Sequence, residues 1–274
     1  MMAVQQWTVG CSMGWNFGGG RTQGQSHIQT ETPCQDYFSV EQIEHDQFGS
    51  ILIFVVSDGA GNSRYRYTAR GSRLVCQYLT RRVKRAFVQI RDEPQLSEDE
   101  LRGFLWDLQS LLKRYSQCKD GEITSRDFAA TCCLGIVSTE GLQVLQVGDG
   151  AVLYSAEDPN KFLVAISPIE EKGETYNASK MATSTHAYRE AQYIFIPGTI
   201  GRVAAFSDGL INFMIRFRDN KANSEYLAAI FDYIAGEGLT NDALSQIIET
   251  TLADEATLGA VSVDDKSLVL AALD

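Results

Sequence analysis

Two short strings in this 274-residue chain share one plan. VVSDGAG (residues 55–61) and AAFSDGL (residues 204–210) are each an apolar run that ends in Ser-Asp-Gly, and their aspartates, Asp58 and Asp208, lie 150 positions apart. A carboxylate at the end of a buried strand is held rigidly yet reaches solvent, and the adjoining glycine lets the backbone approach a ligand closely. A further acidic pair, Asp264-Asp265, opens the last apolar run, and Asp36 precedes another. If those strands are neighbours, four aspartate positions converge. Hard oxygen donors of this kind suit Mg²⁺ or Mn²⁺. Two such ions side by side can activate a water and clamp a phosphoryl oxygen. His and Cys are scarce beside these motifs, so zinc is the poorer fit. Taken alone, each Ser-Asp-Gly also reads as an ordinary strand ending in a turn.

The elements that must position these groups follow from the apolar pattern. ILIFVV (residues 51–56) is continuous and rich in Ile, Val and Phe, which predicts a strand covered on both faces. Strands are predicted over residues 7–12, 37–40 and 48–57. Residues 14–24, GWNFGGGRTQG, follow a strand but precede no amphipathic helix, so they read as a mobile loop and not a dinucleotide-binding turn. Val75, Tyr78, Leu79, Val83, Ala86, Phe87 and Ile90 recur at helical spacing. Residues 64–91 hold nine Lys or Arg and no acid, in a chain that is acidic elsewhere. That is either a solvated helix face or a docking surface for an acidic or phosphorylated partner. Ser97 caps a second amphipathic helix. Residues 128–138 and 142–147 form a hairpin on the turn Thr139-Glu140-Gly141, and residues 151–154 continue as a strand. Residues 158–189 are polar and aperiodic, the mark of a lid or a disordered loop. Strands at 193–197 and 202–206, helices at 224–235 and 241–253, and a final strand after Asp265 complete the chain. No repeat and no clean linker interrupts it, so one domain over residues 1–274 is expected.

Composition narrows the class. Hydrophobic residues make up 44% of the chain, enough for a sizeable core. No apolar run approaches the roughly 18 residues of a membrane span, and MMAVQQWTVG lacks the basic and apolar regions of a secretory signal. The six cysteines form no CxxC pair, and adjacent Cys132-Cys133 read as small core residues. A reducing, cytoplasmic setting is expected. The net charge of −11 argues against nucleic-acid binding.

The ordered strings VVSDGAGN, ATCCLGIV, LQVLQVGDGAVL, AAFSDGLINFM and DDKSLVLAAL resemble the motifs of the metal-dependent Ser/Thr protein phosphatases of type 2C, the PPM family. SHIQTETPCQDYF resembles the opening of a bacterial-type branch of that family. The resemblance spans residues 9–273. It implies an α+β fold: a four-layer α-β-β-α sandwich of two central antiparallel sheets flanked by helices. It also implies two Mn²⁺ or Mg²⁺ ions, with a water or hydroxide shared between them attacking the phosphorus of phosphoserine or phosphothreonine on a protein. Asp58 would bridge the ions, with the Gly59 carbonyl as a further ligand. Asp208 and Asp264 would bind one ion, and Asp36 would sit beside the centre as a catalytic and metal-site residue. A third ion would use Asp208 and Asp127. Residues 155–190 would be the family's variable flap. A monomer acting on phosphorylated protein is the implied partner arrangement, with the basic 64–91 helix as the candidate docking surface and with no nucleic acid and no membrane.

Three departures stand out. Gln35 occupies the place of a glutamate common in the family. His27 stands where an arginine often holds phosphate, with Arg21 further back. Ala60 replaces a histidine proposed in some members as general acid, which leaves His27 or a bound water to protonate the leaving group. Within the acidic pair Asp264 is preferred over Asp265 as the ligand. Asp149 reads as a turn residue, Thr131 as a packing residue, His186 has no catalytic role, and His27 is either a loop histidine or a catalyst. Two other classes compete: a non-catalytic relative that binds a phosphoprotein or kinase, and a metal hydrolase of small phosphate esters.

Overall fold

The computed structural model describes residues 14–62, 64–89, 93–117, 123–168, 180–216, 218–254 and 262–273. In chain order the elements are β1 (Trp15–Thr22), the short helix α1 (Gln25–Gln29), β2 (Tyr37–His45), β3 (Gly49–Ser57), α2 (Thr68–Gln89) and α3 (Glu98–Gln117). Then come β4 (Cys132–Ser138), β5 (Gly141–Val147), β6 (Ala151–Ser155), β7 (Leu163–Val164), the short helix α4 (Ala187–Glu190), β8 (Gln192–Pro197) and β9 (Arg202–Phe206). The short helix α5 (Ile211–Met214), the small ribbon β10 (Ile215–Arg216) and β11 (Lys221–Ala222), helices α6 (Ser224–Glu237) and α7 (Asn241–Ala253), and β12 (Lys266–Leu273) follow.

Two five-stranded antiparallel sheets carry the molecule, in the orders β2-β3-β4-β5-β8 and β1-β12-β9-β6-β7. The alternation along β3 explains why its apolar run has no break. Ile51, Ile53 and Val55 face a core shared with α2 and α3, and Leu52, Phe54 and Val56 face the core between the sheets. On β12, Leu268 and Leu270 meet α6 and α7, while Val269 and Ala271 turn to the middle. A side chain on either face of such a strand leaves water, and each Leu- or Ile-sized one contributes about 1.5–3 kcal/mol. The result is the expected α+β sandwich: helices, sheet, sheet, helices.

Close packing at the centre yields one test. Gly135 on β4 pairs with Phe54 on β3, and a Cβ placed there would stand 1.9 Å from the Phe54 ring. Gly135→Ala should therefore cost about 1–3 kcal/mol in urea unfolding, because the buried ring has nowhere to retreat. An unchanged midpoint would show that the core yields more than its packing suggests.

The local readings met mixed outcomes. The hairpin on Thr139-Glu140-Gly141 is present, with Ser138 paired to Gly141. Helix α7 has the expected bounds, and α6 runs two residues beyond its own. Cys132 and Cys133 are buried, one in each neighbouring core. Residues 15–22, read as part of a mobile loop, are instead the strand β1, paired along its whole length with β12. The glycines serve close approach: a Cβ on Gly18 would meet Leu244 of α7 at 2.8 Å, and one on Gly20 would meet the Glu249 backbone at 2.7 Å. The strand expected from residue 128 begins only at Cys132, because residues 125–128 wind into a 3-10 turn capped by Thr124 and Asp127. The polar stretch read as unstructured holds β7, paired with β6, and α4; its residues 169–179 lie outside the described residues, as does the strand expected at 7–12.

Candidate active site

The two Ser-Asp-Gly turns sit at the ends of β3 and β9, one in each sheet. The first is clamped by the chain before β4. Thr131 donates its N–H to the Asp58 carbonyl at 2.8 Å and accepts the Asp58 N–H on Oγ1 at 2.9 Å, and Ser57 Oγ donates to the Thr131 carbonyl at 2.7 Å. Thr131 thus fixes the backbone that carries Asp58. Gly59 is bridged to Ala130 and donates to the Gln35 carbonyl, and a Cβ on it would collide with Thr68 at 2.8–2.9 Å. The second turn is linked to the first through its serine: Ser207 Oγ donates to Asp36 Oδ2 at 2.5 Å and accepts the Ser267 N–H at 3.0 Å. The two serines look alike in sequence, but one holds backbone and the other holds a carboxylate.

This stitching brings Asp36, Asp58, Asp208 and Asp264 to one end of the sandwich. Asp36 is 1% exposed, and its carboxyl lies within hydrogen-bonding reach of Asp58. Burial pushes the Asp36 carboxyl up to about 6, only partly offset by the neighbouring Asp58 carboxyl and the hydroxyls of Ser207 and Ser267. Burial also raises Asp58 well above the carboxylate range, and the charges of Asp36, Asp208 and Asp264 add to it. Asp208 is raised well above its ordinary value by burial and by Asp149, Asp264 and Asp36. Gly209 packs so tightly that a Cβ would stand 2.0 Å from the Asp265 carbonyl oxygen, which ties the second turn to the start of β12.

Asp149, read as a turn residue, belongs to this field. Its carboxyl is raised by burial and by Asp264, and it is the first charge acting on Asp208. Sequence spacing gave no hint of this, since β5 and β6 belong to different sheets and the turn between them crosses at the site. Asp264 and Asp265 differ in their surroundings. Asp264 is exposed and lines a cleft beside the cluster. Asp265 is buried and spent on structure: Oδ1 accepts the Gly24 N–H at 2.7 Å, and Oδ2 accepts the Gln35 N–H at 2.5 Å and faces His27 Nδ1 at 2.9 Å.

Asp127 is engaged differently from the role expected of it. Oδ1 accepts Arg66 Nε at 2.8 Å, while Oδ2 accepts the Thr124 N–H at 2.7 Å and Thr124 Oγ1 at 3.0 Å. The Arg66 guanidinium holds this carboxyl well below the usual carboxylate range. Arg21 donates to the Asp36 carbonyl at 2.6 Å and stacks on Tyr37, so it steadies the loop. Ala60 offers no titratable group.

The cluster's chemistry fits a hard cation. Asp36 Oδ1 is buried and receives no donated hydrogen bond among the described residues. Carboxylates in contact need a proton or a cation between them. Among the described residues no three acidic, His or Cys side chains already stand in a ready coordination geometry; Asp36 and Asp58 lean together instead. The donors are all oxygens, partly open to water at Asp58 and Asp208, which suits Mg²⁺ or Mn²⁺. The adjoining cleft, about 760 Å³, is lined by His27, Gln35, Asn62, Arg66, Arg70 and Asp264. A larger groove of about 1030 Å³ between α2 and α3 holds none of these acids. The smaller cleft is the candidate substrate site because Asp264 of the cluster and Gln35, the chain neighbour of Asp36, both line it.

Residues 23–249 match the family model described as protein phosphatase 2C. The chain is 26% identical over 268 residues to serine/threonine-protein phosphatase 3 of Escherichia coli (strain K12), covering 94% of this chain and 98% of that one. In fold it is similar to the serine/threonine phosphatase Stp1 from Staphylococcus aureus, with a TM-score of 0.61 at 16% identity and full coverage of both chains. It is also similar to RsbX solved in complex with magnesium, with a TM-score of 0.53 at 11% identity over 95% of this chain and 96% of that one.

Proposed function

The chain belongs to the protein phosphatase 2C family, and from that premise we propose that it hydrolyses phosphoserine and phosphothreonine on proteins with the help of divalent cations. The observation that carries this reading is the buried contact of Asp36 with Asp58 at the meeting point of both Ser-Asp-Gly turns. Asp58, the Gly59 carbonyl, Asp208 and Asp264 would hold two ions, with Asp36 beside them. Bound there, such ions supply an acidified water and positive charge for the phosphoryl oxygens. The protein's own part is positional. Thr131 and Ser207 lock the carboxylates, and the cleft admits a phosphorylated side chain. Arg66 and Arg70, at the start of the basic stretch, line that cleft; Arg66 is paired with Asp127, so Arg70 brings the positive charge to a dianionic ester.

The same basic stretch is the proposed approach surface for protein substrate, chiefly at its cleft end. Further along, Arg82 pairs with Asp107 and Lys84 with Glu41, so part of its charge is already used within the chain. A third ion at Asp127 would have to displace Arg66 and break a turn cap, so the proposal rests on two. We take residues 1–274 as one catalytic unit, with 155–190 flanking the site as a flap. No helix among the described residues is long and apolar enough to cross a membrane; a cytoplasmic monomer is part of the proposal on the composition and the family resemblance alone.

The test is hydrolysis of a phosphothreonine peptide with Mn²⁺ added and with EDTA. Turnover should fall by at least about 100-fold in EDTA and return when Mn²⁺ is restored. Activity that survives chelation sinks the metal reading. A folded, Mn²⁺-binding protein without turnover favours the regulator instead.

A further inference from the structure

The cleft holds a histidine whose surroundings suit proton transfer. His27 lies in α1, and its imidazole lines the cleft together with Asp264 and Gln35. Its side chain is 13% exposed, and its Nδ1 sits 2.9 Å from Oδ2 of Asp265, itself 1% exposed. The same Oδ2 accepts the Gln35 N–H, and Oδ1 accepts the Gly24 N–H. Asp265 already accepts backbone N–H groups on both oxygens, so Nδ1 is the donor in this contact, and Nε2 is the ring nitrogen that Asp265 does not use. Buried Asp265 is also the chain neighbour of Asp264, and Gln35 is the chain neighbour of Asp36. One carboxylate therefore fixes the histidine relative to two members of the acidic cluster. A histidine oriented by a buried aspartate through Nδ1 is an arrangement built for proton transfer at Nε2.

The other side chains around the cleft are less suited to this chemistry. Arginine is too weak an acid to serve, which sets aside Arg66 and Arg70; Tyr65 and Tyr67 also line the cleft, but no hydrogen bond to a buried carboxylate holds either phenol among the described residues; and Ala60, beside the Asp58-Gly59 turn, has no proton to give. Cys34, near Asp36, is pushed up to about 12 by burial, so it stays a thiol.

We propose that His27 is the general acid for the leaving serine or threonine oxygen, and that Asp265 is its positioning residue. The assignment rests on the phosphatase reading above. In the step, a water oxygen forms the new bond to phosphorus and its proton passes to solvent. The ester P–O bond breaks, and its electron pair goes to the side-chain oxygen. The acting acid is the imidazolium: that oxygen takes the proton from Nε2 while the Nδ1–H stays on Asp265, and the neutral ring regains a proton at Nε2 from solvent, so protons balance over a turnover.

Leaving groups that need protonation should reveal this. With Mn²⁺ saturating, His27→Gln should lower kcat on a phosphothreonine peptide by about 100-fold or more, and on p-nitrophenyl phosphate by less than about 10-fold, because nitrophenolate leaves without an acid. Mn²⁺ affinity by titration calorimetry should stay within about threefold of wild type. Equal losses on both substrates, or a large loss of Mn²⁺ affinity, overturn the assignment while leaving the phosphatase reading intact. Failure of the wild-type protein to hydrolyse either substrate overturns both. Asp265→Asn supplies a readout apart from turnover. Imidazole nitrogen NMR should show a proton on His27 Nδ1 in the wild type and a changed tautomer population in the variant. An identical His27 spectrum in both proteins removes the positioning role.

Discussion

Asp58→Asn is expected to lower turnover on a phosphothreonine peptide by about 100- to 1000-fold and, at the same time, to stabilise the metal-free protein at neutral pH. The loss follows from position. Asp58 follows the buried run of β3 and faces Asp36, with Asp208 and Asp264 acting on it. Asparagine keeps the shape but removes the charge that would bind cations, and losing one preorganised electrostatic group at a reacting centre costs about 3–4 kcal/mol of barrier. The gain in stability has the same origin. In the metal-free protein the Asp58 carboxylate is buried among like charges, so a neutral side chain relieves repulsion. Groups arranged for function are often arranged against stability. Steady-state kinetics and urea melts in EDTA check both halves. A variant that keeps wild-type activity, or that melts earlier than wild type without metal, overturns the account.

The metal-free protein should lose stability as pH rises from 5 to 8, and Mn²⁺ should restore it more strongly at pH 8. Asp36 is raised to about 6 by burial, above its ordinary unfolded value. A group raised in this way contributes stability that is fully present below its unfolded pKa, near 4, and lost as pH climbs through about 6. Asp36 alone then accounts for roughly 1.5 kcal/mol between pH 5 and 8. Asp58, Asp208 and Asp149 are displaced in the same direction and add to it. A divalent ion competes with the protons for these oxygens, so it binds more weakly at pH 5. At a hundred times its dissociation constant it adds about 2.7 kcal/mol. Thermal melts with EDTA or Mn²⁺ at the two pH values are decisive. A metal-free protein that is more stable at pH 8 than at pH 5 contradicts the buried acidic cluster.

Much of this architecture was legible in the residues, for physical reasons. Strand β3 announced itself because both its faces are dry, so no polar residue interrupts residues 51–56. Helices α6 and α7 were legible because an amphipathic face repeats at helical spacing. Strand β1 was not, because its glycines carry no side chains and so no pattern. They exist to let α7 and Phe38 come close, as the Cβ distances of 2.8 Å to Leu244 and 2.3 Å to Phe38 show. A run of glycines looks the same in sequence whether it frees the backbone or admits a neighbour.

The site divides along the same line. By itself the sequence determined that aspartates stand at the ends of apolar strands, because side-chain type and strand exit are local properties. Only the tertiary structure decided which carboxylates share one field. It added Asp149, turned Asp265 away from the cluster toward His27, and tied up Asp127 with Arg66. Electrostatic coupling depends on distance through space, and that distance is fixed by how two sheets meet.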